Sequence, residues 1–197
     1  MNRLPLTPSQ TIGPFHHYAL PWPDGGRMRH ESASGTPIRL VIRVHDGQGA
    51  PVDDGLVEVW QANAQGRYAH ARDNHPAPLD PNFTGAGRVV TDADGRYRFT
   101  TVKPGAYPWR NHPNAWRPAH IHFSLFGPSF ATRLITQMFF PGDPLFPLDP
   151  VFNSVPDPKA RERLVAQFDI DLTEPEWALG YRFDIVLRGR AATPMVD

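Results

Sequence analysis

The chain has 197 residues, with 20 basic and 20 acidic side chains, so its formal net charge is zero. No bulk charge is present to attract nucleic acid or an anionic membrane, and we expect neither as a partner. The absence of cysteine excludes disulfides, zinc–thiolate sites and iron–sulfur clusters, so any metal has to bind His, Asp, Glu or Tyr. No stretch approaches the roughly 20 apolar residues that span a bilayer, and the beginning lacks a secretory apolar run, which favours a cytoplasmic protein.

The N-terminal part divides into an arm and the first predicted strands. Residues 1–36 show no hydrophobic period and are punctuated by prolines, which predicts an extended arm. Residues 37–197 are predicted to form one domain around one core. Its first strand covers 38–44, where apolar residues alternate with arginines, and its second covers 56–60.

Turn residues and alternating apolar residues predict more strands further along. Thr91 to Phe99 has the pattern of a hairpin, with Asp94 and Gly95 supplying the positive φ values of a tight turn. Further strands are predicted at 120–126, 133–140 and 181–187.

One helix pattern stands out near the C-terminal end. Asp157 can cap a helix that starts at Pro158, and apolar residues recur on one side from Lys159 to Phe168. Many short strands and one short helix predict an all-β fold, a two-sheet β-sandwich with long loops. Two of these loops, at about 67–85 and 103–118, are long enough to suggest a functional role.

The pattern His120-Ile121-His122 is the first candidate for a metal site. Residues i and i+2 of a strand share a face, so both imidazoles can reach one point while Ile121 packs behind them.

The residues alone leave the other ligands open. A carboxylate would complete the two-histidine, one-carboxylate set of ferrous oxygenases, with candidates at Asp80, Asp92 and Asp143. The alternative is a pair of tyrosines, Tyr68 and Tyr107, one in each long loop.

Several motifs resemble the protocatechuate 3,4-dioxygenase family of intradiol ring-cleaving enzymes, and in particular its catalytic β chains. They follow the family's order over about residues 36–190, so the resemblance is specific. The stretches that carry it are Val57–Asn63, Gly66–Tyr68, Pro78–Phe83, Pro104–Asn111, Arg117–Phe123 and Tyr181–Ile185. The resemblance implies a β-sandwich catalytic domain over 37–197.

The resemblance also implies one non-haem Fe(III) per catalytic site, held by two tyrosinates and two histidines. Matched by motif, these ligands are Tyr68, Tyr107, His120 and His122. The implied reaction opens a catechol-type ring between its hydroxyls and adds both atoms of O2, with protocatechuate giving 3-carboxy-cis,cis-muconate as the first expectation. In such enzymes the substrate displaces one tyrosinate, here Tyr107, which then serves as the base for the substrate proton.

The same resemblance assigns residues to the substrate pocket. Arg117 is expected to stabilise carbanion character on the ring, since its guanidinium stays protonated at any working pH. Gln137 is expected in the pocket, with Trp60 and Trp109 as apolar walls.

The beginning of the chain resembles the non-catalytic α chains of the family instead. Leu6–Phe15 carries this likeness, which implies that Thr11, Gly13 and Pro14 line a substrate pocket in this chain or in a neighbouring subunit. An α-type arm on a β-type body predicts a homo-oligomer, which we favour, or a hetero-oligomer with a related chain.

The substrate is less well defined, because the β-chain arm that helps to receive a substrate carboxylate is missing. Arg133, His16 or His17 are candidates to receive it. Hydroxyquinol and catechol are the alternative substrates. Two other hypotheses are an Fe(II) extradiol enzyme with a carboxylate ligand, and a β-sandwich binding subunit without metal.

Overall fold

Two four-stranded sheets enclose one hydrophobic core in this computed structural model, which describes residues 22–110, 112–126 and 133–196. The strands are β1 (Pro37–His45), β2 (Leu56–Trp60), β3 (Ala86–Val90), β4 (Arg96–Val102), β5 (Tyr107–Pro108), β6 (Trp116–Arg117), β7 (His120–Phe126), β8 (Arg133–Phe139), β9 (Gln167–Phe168) and β10 (Leu179–Val186). Two short helices, α1 (Pro150–Asn153) and α2 (Pro158–Glu162), follow a 3-10 turn at Phe146–Leu148. The all-β sandwich prediction is confirmed.

The strand order explains how the core forms. One sheet has the order β4-β1-β10-β9 and the other β3-β2-β7-β8, while β5 and β6 form a separate ladder. Ile38, Leu40 and Ile42 of β1 and Ile121 and Phe123 of β7 are all buried in the core. Because side chains alternate along a strand, each sheet turns one face to the core and leaves the other face for loops.

The predicted helix is shorter than its sequence pattern suggests. It ends at Glu162, and its expected continuation to Phe168 is wrong, because the chain there becomes extended and forms β9. The Phe139 backbone causes the change, since its N–H donates to Leu164 O at 2.8 Å and its carbonyl accepts from Ala166 N at 2.9 Å. Helix α1 is an addition that was not predicted. Neither helix of the described residues exceeds five residues, and neither could cross a bilayer.

The hairpin predicted over 91–99 is also wrong. The turn exists, but β3 and β4 belong to different sheets, so the chain crosses from one sheet to the other. The carboxylate of Asp92 accepts backbone N–H groups within the turn, and of the predicted pair only Gly95 has a positive φ, at 68°. Gly95 also accepts the N–H of Val44 at 2.8 Å, which docks the turn on the end of β1.

The described part of the arm packs on the sandwich. Met28 is fully buried, its N–H donates to Thr100 O at 3.0 Å, and its carbonyl accepts from Thr84 N at 3.0 Å. The arm residues predicted to line a pocket lie outside the described residues, so their roles stay predictions; they are Thr11, Gly13, Pro14, His16 and His17.

Candidate metal centre

Strand β7 presents two histidines on the sheet face that lies away from the core. His120 and His122 share that face, whereas Ile121 between them is buried in the core. The register places His122 directly opposite Trp60 of β2 and Gln137 of β8. Three strands therefore fix the position of His122 and bring two predicted pocket residues beside it.

A close approach of two loops brings the tyrosines to these histidines. Gly66 has φ +79°, and an added Cβ would lie 2.5 Å from the carbonyl oxygen of Ala106, so glycine is required for the contact. Tyr68 follows two residues later, and its N–H donates to the carboxylate of Asp73 at 2.7 Å. Tyr107 comes directly after Ala106 and begins β5.

Four donor atoms meet at one point. The Tyr68 hydroxyl lies 3.0 Å from Nε2 of His122, 3.4 Å from Nε2 of His120 and 3.3 Å from the Tyr107 hydroxyl. The Tyr107 hydroxyl lies 3.3 Å from Nε2 of His120, and the two Nε2 atoms are 3.1 Å apart. Nitrogen and oxygen ligands lie about 2.0–2.2 Å from a bound metal, which separates neighbouring ligands by roughly 3 Å. The distances therefore suit donors around a shared ion.

The carboxylate alternative finds no such arrangement. Among the residues that the structure describes, no group of three His, Cys, Asp or Glu side chains could hold a metal. Asp143 accepts the N–H of Ala119, and Asp80 and Asp92 each accept backbone N–H groups of their own turns. These three carboxylates therefore shape the backbone.

Burial sets the protonation of the four donors. Burial, and after it the nearby Arg117 cation, lower the pKa of His120 well below the ordinary value and the pKa of His122 to about 3. Both imidazoles are therefore neutral near pH 7, the form that binds metal. Burial raises the pKa of Tyr68 well above its ordinary value and also raises that of Tyr107, so both phenols keep their protons until a metal replaces them.

Neighbouring groups orient the imidazoles. Nδ1 of His120 lies 2.7 Å from the carbonyl oxygen of Pro118, which holds the Nδ1–H tautomer and leaves Nε2 free towards the other donors. The ring of His122 stacks on Trp60, with centroids 5.0 Å apart.

Arg117 lies beside the donors and is nearly buried. Its guanidinium donates to the side-chain oxygen of Gln137, and its Nε lies 3.1 Å from Oδ1 of Asp149. The guanidinium also lies 5.8 Å from the Trp109 ring centroid. Arg117, Gln137 and Trp109 therefore lie together, and their roles in a substrate pocket stay predictions.

Sequence reasoning missed Asp149. The only available signal was Asp149-Pro150, which matches a helix cap and says nothing about an arginine 32 positions earlier. Burial raises the pKa of the Asp149 carboxyl, and the Arg117 guanidinium opposes that rise.

Arg133, a candidate for a substrate carboxylate, begins β8. Its Nε–H donates to Oγ of Ser124 at 3.1 Å, and Ser124 lies two residues beyond His122 on β7. Arg133 therefore lies further along the strand pair that carries the donors, and its role stays a prediction.

Comparison with known proteins agrees with this geometry. Residues 14–189 match the family model described as "Dioxygenase". The chain is 57% identical to a Burkholderia cepacia protein, "Protocatechuate 3,4-dioxygenase beta chain", over 97% of this chain and 79% of that protein. This chain belongs to the intradiol ring-cleaving dioxygenases. The dioxygenase is also 34% identical to the "Protocatechuate 3,4-dioxygenase alpha chain" of Pseudomonas putida, over 98% of this chain and 97% of that one.

Solved structures place the dioxygenase in the same fold family. Catechol 1,2-dioxygenase from Acinetobacter sp. ADP1 aligns with a TM-score of 0.62 and 26% identity, over 87% of this chain and 60% of that one. Non-haem iron is the metal of this enzyme family.

Proposed function

We propose that this dioxygenase cleaves protocatechuate between its two hydroxyl-bearing carbons and yields 3-carboxy-cis,cis-muconate, with both atoms of O2 in the product. The convergence of two phenol oxygens and two imidazole nitrogens, 3.0–3.4 Å apart in five pairs, carries the proposal. Identity of 57% to a protocatechuate 3,4-dioxygenase β chain supports the choice of substrate.

The four donors are proposed to hold one Fe(III) per site. Ferric iron is a hard trivalent cation, and ionised Tyr68 and Tyr107 would balance two of its three charges, while His120 and His122 bind as neutral imidazoles. When bound, the iron supplies Lewis acidity that withdraws electron density from the diol.

Tyr107 is proposed as the base that takes a proton from the diol. Its hydroxyl has two of the other donor atoms within 3.4 Å, whereas the Tyr68 hydroxyl has three. Tyr107 is thus the less tightly surrounded phenol, which suits a ligand that exchanges. Its phenolate oxygen accepts the hydroxyl proton as the substrate binds.

Arg117 is proposed to stabilise the negative charge that develops on the ring carbon. Its guanidinium is permanently protonated and nearly buried beside the donors, where a fixed cation acts more strongly than in water. Gln137 accepts a hydrogen bond from that guanidinium and so orients it.

The pocket walls favour a flat aromatic substrate. Trp60 stacks on His122, and Trp109 lies 5.8 Å from the Arg117 guanidinium, so the two indole rings are proposed to flank a flat ring bound at the donors. Hydroxyquinol or catechol is the alternative substrate, because enzymes named for those diols are 33% identical to this chain.

A related chain is the proposed partner. The α and β chains of protocatechuate 3,4-dioxygenase are both similar to this chain, which supports a hetero-oligomer. A homo-oligomer is the second candidate, since this chain itself carries all four donors. In both, Gly13 and Pro14 of the arm are proposed to line a pocket.

The test uses iron-loaded protein, expressed alone and together with an α-type chain, with protocatechuate, catechol and hydroxyquinol as substrates. We expect protocatechuate to give the highest kcat/KM, and 18O2 to add two labelled atoms to a muconate. A yellow semialdehyde product, or equal turnover by a Tyr68→Phe variant, would contradict the proposal. Activity of the chain expressed alone would favour the homo-oligomer.

A further inference from the structure

A buried aspartate lies behind the arginine of the site. Asp149 is fully buried, and its Oδ1 lies 3.1 Å from Nε of Arg117. Its second oxygen is also buried and has no hydrogen-bond partner among the described residues. An ionised carboxylate at such a position requires a compensating charge, and Arg117 is the cation that lies beside it.

Two groups therefore hold the Arg117 guanidinium from different elements. Gln137 of β8 accepts a hydrogen bond from a terminal nitrogen, and Asp149 at the start of α1 faces Nε. The Asp149 contact is an ion pair, since Nε of Arg117 has no hydrogen-bond partner among the described residues. A guanidinium is planar, so this ion pair and the hydrogen bond to Gln137 together restrict the orientation of the whole group. Arg117 in turn pairs with Tyr107 across β5 and β6, so its orientation is defined relative to a donor.

We propose that Asp149 is a positioning residue that acts through Arg117. Its carboxylate holds the guanidinium beside the four donors and offsets part of its charge. Without that carboxylate the guanidinium would be held by Gln137 alone and would turn away from the reacting ring. This inference rests on the proposed function, because it assigns Asp149 to the role of Arg117 in ring cleavage.

The chain offers a matched comparison for helix capping. Asp149 and Asp157 each cap a short helix ahead of a proline, accepting the N–H of Val151 at 2.9 Å and of Lys159 at 3.0 Å. Asp157 is exposed and forms no ion pair among the described residues. The cap is therefore common to both residues, and the buried contact with Arg117 is specific to Asp149.

The first experiment compares Asp149→Asn with Asp157→Asn in iron-loaded enzyme. Asparagine keeps a capping oxygen, removes the charge and replaces the second oxygen with an NH2 donor of similar size. We expect Asp149→Asn to keep its iron content while kcat for protocatechuate falls about 10- to 100-fold, with KM changed less than kcat. Asp157→Asn should turn over like the wild type. Unchanged kcat in Asp149→Asn would overturn the inference.

The second experiment asks whether Asp149 acts through Arg117. If it does, adding Asp149→Asn to Arg117→Ala should lower kcat by less than about twofold, because the group that it positions is already gone. A full additional loss in the double variant would mean that Asp149 acts independently, and would overturn the inference.

A third readout does not depend on turnover. The free energy of unfolding is measured for the metal-free wild type, for Asp149→Asn, for Arg117→Ala and for the double variant. These four values form a double-mutant cycle. We expect clear coupling, because removing either partner of a buried ion pair leaves the other uncompensated. Additive losses would overturn the inference whatever diol the enzyme cleaves. Failure of the wild type to cleave any diol, with the coupling present, would overturn the proposed function and with it the catalytic role of Asp149, and would leave only the Asp149–Arg117 ion pair.

Discussion

The indole ring of Trp60 stacks on the imidazole of His122, with ring centroids 5.0 Å apart and planes 8° from parallel. The stack follows from strand register, since the two residues lie directly opposite each other on β2 and β7. It fixes the imidazole in the orientation that puts Nε2 3.0 Å from the Tyr68 hydroxyl. A residue predicted as a pocket wall therefore also orients a donor.

Trp60→Ala should weaken iron binding by about tenfold, because residues that orient a metal ligand contribute 10- to 100-fold in affinity. Competition with a ferric chelator measures the change. Trp177→Ala is the control, since Trp177 is half exposed beside Arg39 of the other sheet. Equal iron affinity in Trp60→Ala and the wild type would show that the stack does not support the site.

Arg117→Ala should keep the iron and its colour but lower kcat by about 10²–10³, the usual effect of removing one electrostatic stabiliser. Arg117→Lys should also lose turnover, because an ammonium cannot replace the planar fork that contacts Gln137. Steady-state kinetics measures both variants, and Arg190→Ala, at an exposed arginine, is the control.

The Arg117→Ala change should also destabilise the fold. It leaves the buried carboxylate of Asp149 without its cation, a loss of about 3–5 kcal/mol in the free energy of unfolding. Urea denaturation of metal-free protein measures it. Full turnover in the variant would remove the electrostatic role of Arg117, and unchanged stability would remove the ion pair's role.

Patterns with a fixed geometric period were predictable from sequence. The i, i+2 spacing of His120 and His122 determines a shared strand face, and that face points to the centre. The turn at Gly95 was recognisable too, but a local turn pattern does not reveal which sheet each flanking strand joins. The assignment of that turn to a hairpin therefore failed.

Contacts between distant loops were not predictable from period or propensity. Tyr68 and Tyr107 meet because Gly66 lets its loop approach Ala106. The residues alone offered this pair only as an alternative to a carboxylate, and resemblance to a family was needed to prefer it. The role of Asp149 was also not predictable from its local sequence. That sequence predicts a helix cap, and the contact with Arg117 forms only when the chain folds.

The metal-free protein should lose stability as pH falls below about 6.5. Burial depresses the folded-state pKa of His120 well below that value and of His122 to about 3, so the unfolded chain binds more protons in this window. The contribution of the two histidines to the free energy of unfolding is then fully present above pH 6.5. As pH drops below that value, it falls by about 1.4 kcal/mol per pH unit for each histidine. Urea denaturation of the wild type and of His122→Gln at several pH values isolates the contribution of one histidine. If the free energy of unfolding changed with pH by the same slope in both proteins, this explanation would be contradicted.

Iron uptake should release protons from the two phenols. Burial raises the pKa of Tyr68 and Tyr107, so both are protonated at neutral pH before metal binds. Calorimetry in buffers of different ionisation enthalpy measures the number of protons released. Tyr107→Phe should release one proton fewer than the wild type, and equal release would exclude Tyr107 as an ionised ligand.

The most direct test is the visible spectrum of protein carrying one ferric ion per chain. Two tyrosinates bound to that ion produce a phenolate-to-iron charge-transfer band, so we expect the wild-type protein to be red-brown. The band should weaken in the Tyr68→Phe variant, and the His122→Ala variant should take up no iron. A colourless wild-type protein with full iron content would contradict a ferric site built from Tyr68, Tyr107, His120 and His122.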